Sequence, residues 1–365
     1  MITDSFRQPN VPRFLGYSVS AIVGHEGPIS SRRQAVLKVF ECLANNSVVV
    51  IQAPPFSGKS SFAFLLAQEA ISRNIGAFYV SMARHPSLDE LFPIWTGQSL
   101  VSIQQRNLPT LVFIDDCQSL YGLEDRPDVQ GLWSLITAHQ TTKHHPVKFI
   151  FLSTLTKAAS ELSPHIFESR FGADLLRPPR ADIDEMFDDY DQLCNAVQQP
   201  PLGEFLRSVL WSYCGGHFGI LRLTLFYLYQ VKLRAKTVAD LADSKFVAYL
   251  LSEEFNVKLR GLRIPYNKNS LTAKHISLLL QAMAASLQPS DVDSIASCDE
   301  LVSLGLFSCS FDVLQPNTYE YASPALLHIV RNDLLSTETR PQHPPENLLE
   351  FVLNALRLLK VCFSL

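Results

Sequence analysis

Charge is scarce in this chain: 18% of its residues are Asp, Glu, Lys or Arg, against about a quarter in ordinary globular domains. Such a shortfall is expected where another subunit or a further domain covers part of the apolar surface. Bases have no surplus either. Lys and Arg number 31 against 35 Asp and Glu, a net charge of −4, so no overall field draws the chain to nucleic acid or an anionic membrane. Paired cysteines are also missing. Cys42, Cys117, Cys194, Cys214, Cys298, Cys309 and Cys362 are odd in number, scattered and never spaced Cys-x-x-Cys. That excludes a disulfide framework and a zinc site, and points to reduced thiols in a cytosolic or nuclear setting. No apolar run approaches the roughly 18 residues of a membrane span. The first residues, from Met1 to Pro9, lack the basic-then-apolar order of a secretory leader. The expectation is a soluble intracellular protein, cytoplasmic or nuclear, with no membrane partner.

What is present is apolar material, 47% of 365 residues, enough for two or three packed domains. The apolar run Ser47-Val48-Val49-Val50-Ile51-Gln52 leads into Ala53-Pro54-Pro55-Phe56-Ser57-Gly58-Lys59-Ser60, and an amphipathic stretch from Ser61 follows. Strand, Gly-Lys-Ser turn and helix in that order read as a phosphate-binding loop. Its backbone N–H groups and helix N-terminus would surround a phosphate with partial positive charge. Gly58 would let the backbone approach, Lys59 would reach the β- and γ-phosphates, and the Ser60 hydroxyl would ligate magnesium. Ala53 stands where the first glycine is usual, and two prolines stiffen the loop.

Three more apolar runs, Gly76 to Ser81, Leu111 to Asp116 and Val147 to Thr154, alternate with helical stretches. This predicts an α/β fold: an open parallel sheet with helices on both faces and ligands at the carboxyl ends of the strands. Beyond Arg177-Pro178-Pro179-Arg180 the pattern turns helical to about residue 260, which predicts a helical lid. After the polar break at Ile264 to Ser270, helices and then a hairpin predict a winged helix. The expected boundaries are an N-terminal extension over 1–20, the core over 21–180, the lid over 181–263, the winged helix over 264–338, and a tail over 339–365. The apolar positions from Glu346 to Leu353 are expected to pack on a following domain.

Asp115 ends an almost wholly apolar strand 56 residues after Lys59, where coordinating a nucleotide's magnesium would justify a carboxylate. Asp116 is expected on the opposite side of that strand, orienting or deprotonating the attacking water; a turn or helix cap is the plainer role for such a pair. Ser153 and Thr154 end the fourth strand within reach of a γ-phosphate. Arg170 is a candidate arginine finger for a neighbouring subunit. In Cys214-Gly215-Gly216-His217-Phe218-Gly219-Ile220-Leu221-Arg222, glycines open a helix start from which His217 or Arg222 would sense phosphates.

In this order the features resemble the AAA+ and STAND divisions of P-loop ATPases across residues 20 to 335. Val23-Gly24-His25-Glu26 looks like the family's Gly-Arg-Glu box with histidine for arginine. Gly215-Gly216-His217-Phe218-Gly219 is similar to its Gly-Gly-His-Pro-Gly lid motif, with Phe218 for proline. Tyr321 to Leu327 resembles the segment closing the winged helix in Crinkler-type proteins of oomycetes and fungi. That likeness implies delivery into a host cell and a downstream effector domain. The resemblance implies ATP and magnesium as cofactors, a slow nucleotide-dependent switch, and lid and winged-helix contacts to a second copy or an effector domain.

Two other readings stay open. One is a scaffold that binds nucleotide without hydrolysing it, since Asp116 replaces the usual glutamate. The other is a winged-helix DNA-binding initiator. From 268 to 340, however, four bases (Lys268, Lys274, Arg331, Arg340) face eight acids, a poor match for a phosphate backbone. A guanine-specific site is disfavoured, because Asn267-Lys268-Asn269-Ser270 lacks the aspartate of Asn-Lys-x-Asp.

Overall fold

The apolar runs become strands buried on both sides. β1 (Val48–Gln52) and β3 (Thr110–Asp115) are buried at every position, as a parallel sheet covered on both faces requires. With β2 (Gly76–Ser81) and β4 (Val147–Ser153) they form a parallel sheet in the order β2-β3-β4-β1-β5. The computed structural model describes residues 30–55, 57–82, 87, 90, 92–93, 96–105, 108–120, 126–141, 145–154, 169–234, 242–260, 271–282, 286–312 and 315–334. The expected extension, tail, Val23–Glu26 box and Phe56 lie outside them.

The sequence pattern gave four strands and the sheet has five. β5 (Arg170–Phe171) pairs in parallel with Val50 and Ile51, and two residues are too few to show a period. α1 (Arg33–Asn45) buries Val36, Val39, Phe40 and Leu43, one helical stripe. α2 (Lys59–Ser72) buries Phe62, Ala63, Leu66, Ala67 and Ala70 against the sheet. α3 (Leu100–Gln104), α4 (Pro127–Thr141) and α5 (Ala173–Leu176) complete the layers. Because β4 separates β1 from β3, the ends of three strands meet at one crevice, where ligands of open α/β sheets sit.

Pro179 precedes α6 (Arg180–Ala196), followed by α7 (Glu204–Cys214), α8 (Phe218–Arg234), α9 (Asp243–Leu250) and α10 (Glu253–Arg260). They share a core that includes Phe187, Tyr190, Leu210, Leu225 and Phe255. Next come α11 (Ala273–Ala282), α12 (Val292–Ser303), an antiparallel hairpin of β6 (Phe307–Asp312) and β7 (Gln315–Tyr321), and α13 (Pro324–Leu334). Leu279, Leu301, Phe307 and Tyr319 form their core. α13 serves both groups: Ala325, Leu326 and Ile329 pack with the α6–α10 core, Val330 with the hairpin. Among the described residues no helix is long and apolar enough to cross a membrane.

Candidate functional site

The loop from Ala53 to Gly58 joins β1 to α2 at the crevice. Ala53 N–H bonds the Ser153 carbonyl at 3.1 Å, and Ser57 N–H closes a turn on the Pro54 carbonyl at 3.3 Å. Gly58 takes φ 88°, a left-handed conformation that glycine alone adopts freely. Lys59 opens the helix and is buried, its Nζ donating to the carbonyls of Ala53 and Pro54, each at 2.9 Å, with Thr154 Oγ1 at 3.4 Å. Burial lowers its pKa to about 8 against the attraction of Asp115 and Asp116. Ser61 lies in the first turn of α2.

Asp115 is the acidic centre, 1% exposed. Its Oδ2 accepts from Ser60 Oγ and from Tyr79 Oη, the latter at 2.6 Å, and its Oδ1 accepts from Asp116 N–H at 2.8 Å. Burial, then the neighbouring Asp116 charge, raises its pKa; the hydrogen bonds and Lys59 oppose that rise. Tyr79 and Ser81 share one face of β2, and Ser81 pairs in register with Asp115. Asp116 departs from expectation. β3 ends at Asp115, and Asp116 turns left-handed at φ 57° instead of presenting the strand's opposite face. Its Oδ2 accepts from Ser81 Oγ at 3.1 Å and its Oδ1 from Gln118 Nε2 at 3.4 Å. Gln118 Oε1 in turn accepts Thr154 N–H at 3.1 Å, tying the ends of β3 and β4 together. Ser153 Oγ is buried without a hydrogen-bond partner among the described residues.

The turn before α8 brings His217 within electrostatic reach of Lys59. Gly215 and Gly216 are left-handed at φ 57° and 75°, and α8 starts immediately after His217. His217 Nδ1 accepts Ile220 N–H at 3.3 Å, which leaves the proton of the neutral ring on Nε2. That Nε2 is buried and has no partner among the described residues. Burial lowers the imidazole pKa to about 4; a backbone hydrogen bond is the next influence and opposes it, and the charges of Lys59, Arg32 and Arg177 lower it further. Arg222 lies one turn on, half-buried, its pKa lowered by burial. Arg170 is placed by its backbone on β5, at the sheet edge beside Val50.

Arg32, Tyr79, Ser81 and Gln118 were not foreseen. A tyrosine inside a buried strand needs a partner for its hydroxyl, which was a readable signal for Tyr79. Arg32 and Gln118 act through tertiary contacts that leave no spacing to read.

Hard oxygen donors suit magnesium, which keeps several waters and takes one or two carboxylates plus phosphate oxygens. Ser60 and Asp115 fit that demand. Among the described residues no group of three or more His, Cys, Asp or Glu side chains forms a complete metal cage.

The fold is that of P-loop NTPases: a parallel sheet flanked by helices, with the phosphate loop between β1 and α2. Among solved structures, a Walker-type ATPase of Pyrococcus abyssi matches with a TM-score of 0.50 at 14% identity, over 82% of this chain and 95% of that one. The ORC2 protein of Aeropyrum pernix, in ADPNP and ADP complexes, gives 0.45 at 13% identity over 87% and 98%. The FIGL-1 AAA domain in complex with ADP gives 0.39 at 14% over 58% and 79%. No protein-family model matches the chain, and no curated protein does.

Proposed function

We propose that the chain is an ATP-binding P-loop ATPase of AAA+/STAND type that turns over slowly and works as a nucleotide-dependent switch. The observation that carries this reading is the convergence of Lys59, Ser60, Asp115 and Thr154 at the ends of three parallel strands. Lys59, now donating to the loop carbonyls, would transfer its hydrogen bonds to the β- and γ-phosphates. The N–H groups from Ser57 to Ser61 would surround the phosphate chain at the α2 N-terminus. Ser60 and Asp115 would hold magnesium, which when bound neutralises charge on the transferring phosphoryl group.

Asp116 would position the lytic water, with Ser153 or Thr154 beside the γ-phosphate. Ser81 and Gln118 restrain the Asp116 carboxylate, and a shorter side chain than glutamate reaches water less far. Slow turnover follows. It suits a protein whose two nucleotide states matter more than its rate. Arg170 would act on the nucleotide of a second copy, and His217 with Arg222 would report phosphates to the lid. Residues 181–263 serve as that lid. Residues 264–338 serve as an acidic winged helix that contacts protein, a second copy or an effector domain, in preference to DNA. The module would act inside a cell, and a Crinkler-type arrangement with a downstream effector is the finer form of this reading.

A second reading, a nucleotide-binding scaffold without hydrolysis, is favoured by the same restrained Asp116. Nucleotide retention and single-turnover hydrolysis with ATP and magnesium separate the two. Wild type is expected to bind and hydrolyse slowly. Lys59→Ala should weaken binding about a hundredfold, as loss of a buried charged phosphate ligand implies, and Asp115→Ala should abolish hydrolysis. Asp116→Glu should speed turnover in a slow site and leave a dead scaffold unchanged. Wild type that binds no better than Lys59→Ala would refute the ATPase reading.

A further inference from the structure

Arg32 has no role in the reading of the phosphate loop, yet it combines three costly features. It is 4% exposed, and burying a guanidinium disfavours its charge strongly. Its backbone is left-handed at φ 47°, which costs a non-glycine residue about 1 kcal/mol or more. Its Nη1 has no hydrogen-bond partner among the described residues. Features of this kind persist where surrounding structure imposes them, and they concentrate at functional sites.

The surroundings are specific. Nη2 donates to the Ser57 carbonyl of the phosphate loop at 3.3 Å. The guanidinium lies against the loop's own turn, Nη2 at 3.2 Å and Nη1 at 3.7 Å from where a Cβ on Gly58 would stand. Its Cζ sits 3.5 Å over the Phe218 ring at the start of α8, with Phe62 of α2 at 5.6 Å. Asp182 of α6 attracts it without a hydrogen bond, and Asp182 Oδ2 is itself buried and unpartnered. Burial lowers the Arg32 pKa to about 9, which leaves it a cation at neutral pH. One side chain therefore touches the phosphate loop through a hydrogen bond and the lid through its flat face. Among the described residues its Nη1 and the His217 Nε2–H are two donors without partners, and His217 lies within electrostatic reach of both Arg32 and Lys59.

We propose that Arg32 is a second cationic ligand of the nucleotide phosphates and the joint through which the lid responds to them. Resting on the ATPase reading above, it assigns the phosphate-to-lid signal to a residue preceding α1. In the loaded state Nη1 donates to a phosphate oxygen while the guanidinium keeps its stack on Phe218, so α8 is held against the loop. Without the nucleotide the Ser57 hydrogen bond, the Phe218 stack and the attraction to Asp182 remain, but Nη1 lacks its partner, and α8 is held less firmly.

The test measures ATP, ADP and inorganic tripolyphosphate binding together with amide hydrogen exchange across 215–221, in wild type, Arg32→Gln, Arg32→Lys and Phe218→Leu. Loss of a charge-assisted hydrogen bond in Arg32→Gln should weaken ATP and tripolyphosphate about tenfold or more and remove the ATP-induced protection of 215–221. Arg32→Lys should recover part of the affinity without the protection, since an ammonium has no flat face to stack. Phe218→Leu leaves the buried charge in place, so it serves if Arg32→Gln does not fold. It should lower ATP affinity less than Arg32→Gln does and still lose the protection. If wild type binds ATP and Arg32→Gln, or Phe218→Leu in its stead, keeps full ATP-induced protection, the proposal is overturned while the ATPase reading stands. If wild type binds neither ATP nor tripolyphosphate, both fall.

Discussion

The core wall of the crevice and the wall facing α6 and α8 treat their titratable side chains differently. On the core side Asp115 receives Ser60, Tyr79 and a backbone N–H, and Asp116 receives Ser81 and Gln118. Where Arg32 meets α6 and α8, Arg32 Nη1, Asp182 Oδ2 and His217 Nε2 are buried without partners among the described residues; on the core side the unpartnered atoms are the neutral Gln52 Oε1, Ser57 Oγ and Ser153 Oγ. A satisfied network in low dielectric rigidifies, whereas an unsatisfied donor is a source of free energy for whatever ligand or rearrangement answers it. The two carboxylates are thus restrained by their neighbours, and the unpartnered titratable groups gather where α6 and α8 meet Arg32.

The contrast is most easily broken at Gly215. A Cβ there would stand 2.4 Å from Pro324 Cδ at a φ of +57°. Gly215→Val should cost roughly 4 kcal/mol from strain and overpacking together, seen as a lower denaturant midpoint. An unchanged midpoint would mean the end of α7 and α13 separate without penalty.

The next effect is a pH dependence carried by His217. His217 has its pKa lowered to about 4 from 6.5, so between those values the unfolded chain takes up a proton that the folded chain refuses. Its contribution is complete above about pH 6.5 and is lost as pH falls toward 4, about 3 kcal/mol in all. Urea titrations at pH 7 and pH 4.5 should show a larger loss of stability in wild type than in His217→Gln. Equal losses would place the acid sensitivity elsewhere.

The smallest effect tests the core wall. Tyr79→Phe removes one of the two side-chain donors on Asp115 Oδ2 and should cost about 1–2 kcal/mol without altering ATP-induced protection of 215–221. A change in that protection would erase the division between a fixed wall and a responsive one.

Much of the core wall was legible in the sequence because its signals are local. The Gly58-Lys59-Ser60 turn sits between an apolar run and an amphipathic one, and Asp115 closes a strand with no other charge. The missing pieces are tertiary. β5 is two residues long, Asp116 leaves the strand through a left-handed turn, and Gln118 links elements 36 residues apart. Of the wall facing α8, the sequence offered Gly215, Gly216, His217 and Arg222. Arg32 lies 25 residues before the carbonyl it holds and 186 before the ring it covers, and no periodicity connects such partners.

The shared helix α13 sets how the molecule can be divided. Ala325, Leu326 and Ile329 complete the core of α6–α10 from a point some sixty residues beyond its last helix, and Pro324 fills the space that Gly215 leaves bare. A fragment cut at residue 263 would carry an open apolar seam on α7. The hairpin unit cannot be exchanged for another without bringing a substitute for that seam. The inheritable unit runs from α6 through α13, and a graft or fusion must respect it as a single cooperative block.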